Sequence, residues 1–140
     1  MNNGQVPNGA NFRSEVPKDT RKAKGKAGEE AAARFLIEAG YRIVETNWRC
    51  RSGEIDIIAV LEDMYIFVEV RSRTGSHQYG TALESVNHRK INQVRQTAAV
   101  YLQDRHLGNR QIRFDVMGVL LPTVNWSEGP IEIKHIENAF

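Results

Sequence analysis

A chain of 140 residues, 41% hydrophobic and 26% charged, suits one soluble domain with a modest core and leaves little room for a second. The longest apolar run, Ile57 to Leu61, is strand-sized, and the Asn- and Gly-rich start lacks the apolar stretch of a secretory signal, so a cytoplasmic protein with no membrane partner is expected. Cys50 stands alone, which excludes an intrachain disulfide, and no Cys/His grouping has zinc spacing.

Formal net charge is only +2, a weak pointer to nucleic acid. The basic residues are nevertheless clustered: Lys18, Arg21, Lys22, Lys24 and Lys26; Arg71 and Arg73; His88, Arg89 and Lys90, with Arg95 beyond. Such patches can hold phosphates, although any one of them alone reads better as solvated surface.

Residues 1–20 are rich in Asn, Gly, Pro and charge and read as a disordered tail, with a single domain over 21–140. A helix is predicted from Ala23 to Ala39, with Ala27, Ala31, Phe35 and Ala39 as its apolar stripe, widened by Ala32 and Leu36 and stopped by Gly40. Three strands follow, over 41–48, 54–61 and 64–71. The third alternates Met64, Ile66, Val68 and Val70 against Tyr65, Phe67, Glu69 and Arg71. Residues 72–84 read as a loop, and a second helix is predicted over 86–107. A fourth strand covers 111–121, and residues 131–136 suggest a short edge strand. The order is α-β-β-β-α-β, a three-strand meander followed by a crossover helix, which implies a mixed sheet flanked by helices.

Two carboxylates interrupt this pattern. Asp56 lies among Ile55, Ile57 and Ile58, and Glu69 lies between Val68 and Val70. A carboxylate in a half-buried strand costs free energy unless something pairs with it. If Glu62-Asp63 is the centre of a symmetric hairpin, Leu61 faces Met64, Asp56 faces Glu69 and Glu54 faces Arg71. A three- or five-residue loop would shift this register by one. Opposed carboxylates are tolerable when they share a proton or bind a cation, and Mg²⁺ takes such oxygen ligands while keeping several waters. The alternative is that both face solvent, each neutralised by an arginine.

Asp56 and Glu69, with twelve residues between them, and the run Phe67-Val68-Glu69-Val70-Arg71 resemble the D-x(n)-(D/E)-x-K signature of the restriction-endonuclease-like nuclease superfamily. More narrowly, GEIDIIA and FVEVRSR, together with Gly25-Lys26-Ala27-Gly28-Glu29, Asn47-Trp48-Arg49 and Arg113-Phe114-Asp115-Val116, resemble the YraN-like uncharacterised family of small bacterial proteins over roughly residues 22–121. The resemblance implies a restriction-endonuclease-like α/β fold like that of Holliday-junction resolvases, and a Mg²⁺- or Mn²⁺-dependent endonuclease acting on DNA, branched DNA included. By position it makes Asp56 and Glu69 the metal ligands and adds Glu29 and Arg71 to the catalytic group. Glu54 is left to pair with Arg71.

Arg71 stands where the superfamily usually has lysine. Arginine stays protonated, so it can stabilise charge on phosphoryl oxygens but cannot serve as a general base. Arg73, Arg89 and Lys90 are assigned to the flanking nucleic-acid backbone; His77 and Tyr79 fall in the loop after the acidic strand. Two rivals stay open: a nucleic-acid-binding module without catalysis, and an interaction scaffold with no nucleic-acid role. Enzymes that cut two strands symmetrically often act as homodimers, which the sequence leaves open.

Overall fold

The structure, a computed structural model, describes residues 20–75, 83–123 and 129–140. The expected N-terminal tail, Lys18 within it, and the loop residues His77 and Tyr79 lie outside the described residues. The elements are α1 (Thr20–Glu38), β1 (Arg42–Cys50), β2 (Gly53–Leu61), β3 (Met64–Thr74), α2 (His88–Asp104), β4 (Ile112–Leu121) and β5 (Glu132–Ile136). The five strands form one sheet in chain order, β1-β2-β3-β4-β5. β3 and β4 pair in parallel, joined through α2; the other neighbours are antiparallel. The chain is thus a mixed α/β protein, with the element order and mixed sheet expected. Among the described residues no helix is long and apolar enough to cross a membrane.

The helices cover opposite faces. β3 alternates as its sequence predicts: Ile66 and Val68 pack under α1 with Ala31, Ala32 and Leu36, while Phe67 packs under α2 with Ala98 and Tyr101. The α1 stripe differs from the expected one, since Phe35 and Ala39 are exposed and the buried line runs through Gly28, Ala31, Ala32 and Leu36. A series spaced four residues apart drifts about 40° around the helix at each step, so mixed spacings of three and four hold one face better. Gly28 lets α1 close on β3: a Cβ there would overlap the Ser72 hydroxyl oxygen and stand 2.9 Å from Ser72 Cβ. α2 begins two residues later than expected, because Asn87 is extended and its side chain accepts from the Lys90 N–H at 2.9 Å, which makes it the cap.

The sheet edges are irregular or short. β1 carries a register shift between Ile43 and Glu45, and Asn47 takes a left-handed φ of 51°. β5 has five residues and includes Glu132 and Lys134.

A buried polar cluster ties β5 to the core. Asp115 is fully buried and accepts from Arg113 Nε (2.8 Å) and Nη2 (2.7 Å), from the Asn138 N–H (2.9 Å), and from His135 Nε2 (2.7 Å), the protonated ring nitrogen in that contact. Arg113 Nη2 also donates to the Tyr41 hydroxyl at 2.7 Å. Burial by itself would raise the Asp115 carboxyl, but the bonds from His135, Arg113 and Asn138 outweigh it and hold it below the usual value. A depressed carboxylate stabilises the fold above its unfolded value, and that stabilisation is lost as pH falls through the acid range. We predict that Asp115→Asn, which takes from Arg113 its buried charge partner and leaves it the exposed Glu137 at 3.6 Å, costs about 3–5 kcal/mol at pH 7 by denaturant unfolding, with the deficit shrinking toward pH 3.

Candidate metal centre

The hairpin register is the symmetric one. Leu61 pairs with Met64 and Ile57 with Val68. The next positions are Asp56 and Glu69, and there the regular β2–β3 ladder stops. Instead the Val70 N–H donates to Asp56 Oδ2 at 2.8 Å, so a side chain takes over from the main chain. The distortion continues into β1. Asn47, with its left-handed backbone, lies between the Thr46–Ile57 and Trp48–Ile55 pairs, across from Asp56. Ile55 and Ile58 both pack on the α2 side, although a regular strand would send residues three apart to opposite faces. Side-chain alternation therefore slips by one between them. Irregular backbone of this kind gathers where side chains are positioned for something other than packing.

Glu69 is buried. Its Oε2 faces Arg71 Nη2 at 3.3 Å and Lys90 Nζ at 3.6 Å. Among the described residues its Oε1 is buried with no hydrogen-bond partner, as is Arg71 Nε. Burial pushes the Glu69 carboxyl above its ordinary value despite Lys90 and Arg71. Asp56 is pushed up to about 8, first by burial and then by the charges of Glu69 and Glu29; Val70 and Lys90 pull the other way. Burial and the neighbouring carboxylates thus outweigh the two cations beside the pair and hold both carboxyls above their ordinary values.

The remaining expected residues fall as follows. Glu29 is near enough to raise Asp56, but its Oε1 accepts from Asn47 Nδ2 at 2.9 Å. Among the described residues no three His, Cys, Asp or Glu side chains are grouped to hold one metal ion, which leaves Asp56 and Glu69 as a candidate pair of carboxylates. Glu54 pairs with Arg49 on β1 (3.5 Å), not with Arg71, whose guanidinium is turned to Glu69. Lys90 enters the acidic site from the first turn of α2, a position that spacing along the chain does not reveal. Arg89 is exposed beside it, and Arg73 lies further along β3. Two carboxylates with one buried free acceptor suit a hard divalent ion that keeps most of its waters, and the donor set fits Mg²⁺ or Mn²⁺.

A mixed five-stranded sheet, helices on both faces and a carboxylate pair where the β2–β3 ladder ends define an α/β protein with a candidate acidic metal centre. The chain belongs to the family described as Uncharacterised protein family UPF0102, which matches residues 28–119. A UPF0102 protein of Moorella thermoacetica is 49% identical over 102 residues, covering 73% of this chain and 84% of that one. One of Pelotomaculum thermopropionicum is 44% identical over 123 residues, covering 87% and 98%. Among solved structures, that of Pyrococcus furiosus SfsA in complex with Ca²⁺ aligns at a TM-score of 0.34 and 15% identity, over 84% of this chain and 63% of that one. A likeness that low carries nothing over to this chain.

A raised carboxyl works against stability. Between the unfolded value near 4 and the folded value near 8, the unfolded chain has released a proton that the native site keeps, so stability falls as pH rises through that window. Asp56→Asn keeps the acceptor for Val70 and removes the titration. We predict that in chelator the variant matches wild type near pH 4 and exceeds it at pH 9 by on the order of a few kcal/mol. Urea unfolding across that range is the check; parallel pH profiles would mean that Asp56 ionises normally.

Proposed function

We propose that the chain is a metal-dependent endonuclease acting on DNA, built on a restriction-endonuclease-like fold. The observation that carries this reading is Glu69 Oε1, a buried acceptor without a partner beside a second carboxylate held by Val70. The element order and the parallel pairing of β3 with β4 support the fold assignment.

Asp56 and Glu69 would hold Mg²⁺ or Mn²⁺. Such an ion supplies Lewis-acid polarisation of a phosphate and acidification of a water. The chain's own residues do the rest. Arg71 and Lys90, already on Glu69 Oε2, place two cations at the edge of the site, where negative charge on phosphoryl oxygens develops. Lys90 also restores the ammonium that β3 lacks. Glu29, fixed by Asn47, adds negative charge that strengthens the site for a cation. Arg89 and Arg73 serve the flanking backbone.

A second reading, a nucleic-acid-binding module without catalysis, is favoured by the Arg71–Glu69 ion pair and by the lack of a third grouped ligand among the described residues. In it the two cations are the permanent partners of Glu69.

Calorimetric titration with Mg²⁺ and Mn²⁺, paired with cleavage assays on duplex and branched DNA, separates the two. Wild type is expected to bind metal and cut; Asp56→Ala/Glu69→Ala is expected to do neither while staying folded. Lys90→Met is expected to lower cleavage by about 10²-fold or more with metal binding retained. Arg71→Lys is expected to keep or raise activity. Salt-sensitive DNA binding without metal uptake or cleavage would make the non-catalytic module the function.

A further inference from the structure

We propose that a cleft of about 300 Å³ between the start of α1 and the far end of β3 seats a phosphate of a polynucleotide strand, next to the phosphate lying over Asp56 and Glu69. The proposal rests on the nucleic-acid reading above and extends it to the substrate's neighbouring phosphate. Arg21 and Lys24 line the cleft from α1, Arg71, Ser72 and Arg73 from β3, and Ser85 from the approach to α2. Among the described residues four cations line the cleft with one carboxylate, Glu29, which is bound to Asn47, and Arg71 is at the same time paired with Glu69. The two hydroxyls add neutral donors suited to phosphoryl oxygens.

Three features point to an anion rather than to solvated surface. First, the described start of α1, from Thr20 to Gly28, carries Arg21, Lys22, Lys24 and Lys26 and no acidic residue. Cations gathered on one short stretch repel one another, and a bound anion relieves that cost. Second, Arg71 Nε is a buried donor with no partner while the same guanidinium holds Glu69, so one side chain joins the cleft to the acidic pair. Third, the α1 wall is open: a Cβ at Gly25 would meet nothing within 4 Å. The volume is at the lower end of small-ligand sites, enough for a phosphate and part of its sugar. The cleft offers its cations to a phosphate without a metal. Strand binding and metal binding are therefore separable.

Fluorescence anisotropy with a single-stranded DNA oligonucleotide, 5′-phosphorylated or 5′-hydroxyl, in EDTA over a salt series tests the seat. Arg21→Gln/Lys24→Gln changes surface positions on a helix, and its melting by circular dichroism confirms the fold. The variant is expected to bind about tenfold or more weaker at low salt, with its log–log salt slope shallower by about 0.7, the value for one lost phosphate contact. A variant deficit confined to the phosphorylated strand assigns the seat to a terminal phosphate; an equal deficit on both strands assigns it to an internal diester. Variant binding with wild-type affinity and slope overturns the seat and leaves the metal centre standing. Wild type that binds no DNA or RNA at low salt overturns both the nucleic-acid reading and the seat. Binding in EDTA with the expected variant deficit, but no metal uptake in the calorimeter, removes the nuclease and keeps the seat.

Discussion

The arrangement depends on one hydrogen bond, from the Val70 N–H to Asp56 Oδ2. At that point β2 and β3 stop pairing through their main chains, and an aspartate side chain satisfies the amide instead. The bond fixes Asp56 at the mouth of the hairpin and holds its carboxylate against Glu69. The rest of the fold supports that junction from four directions. α1 closes on β3 at Gly28 and brings Glu29 near. β1 bends at Asn47, which holds Glu29. α2 is capped by Asn87 so that its first turn delivers Lys90. β4, paired in parallel with β3, backs the acidic strand from Tyr65 to Thr74.

Two aspartates in this chain show how surroundings decide what the same group does. Asp115 receives two guanidinium bonds, an imidazole bond and a backbone amide, and its carboxyl is held down. Asp56 receives one backbone amide and faces Glu69, and its carboxyl is driven up. The first is a finished network whose role is to fasten β5 and the chain end to the core. The second is an unfinished one, and a buried polar group left short of partners is the exception in a folded chain and marks where its chemistry differs from packing.

Much of this was legible in the sequence because strand geometry is local. The two-residue turn at Glu62-Asp63 and a side-chain period of two gave the register from Leu61–Met64 to Ile57–Val68, one step short of Asp56 and Glu69, and β3's alternation correctly divided Val68 from Phe67. The partner of Glu54 was not legible. The hairpin alone offered Arg71, but the β1–β2 pairing brings Arg49 alongside, and Glu69 claims the Arg71 guanidinium. Nor was the place of Lys90, because the helix joining two parallel strands can return over the sheet at many heights, and only packing of Val94, Ala98 and Tyr101 sets the one that is used. The α1 stripe was misjudged for a smaller reason: regular alanine spacing drew attention away from Gly28, whose missing side chain is what permits contact. The distortion at Asn47 leaves no periodic trace, since a left-handed residue interrupts a pattern without announcing itself in composition.

The two margins of the sheet have a consequence for how copies of the chain behave at high concentration. An open sheet exposes unpaired amides and carbonyls that template strand addition by another molecule. Here one margin is kinked twice, at the shift after Ile43 and at Asn47, and the other is a five-residue strand bearing Glu132 and Lys134. Neither presents a long, flat, uncharged ribbon. The same backbone irregularity that shapes the acidic site thus also guards the chain against runaway β-stacking, and copies that associate would have to do so through side-chain surfaces rather than by lengthening the sheet.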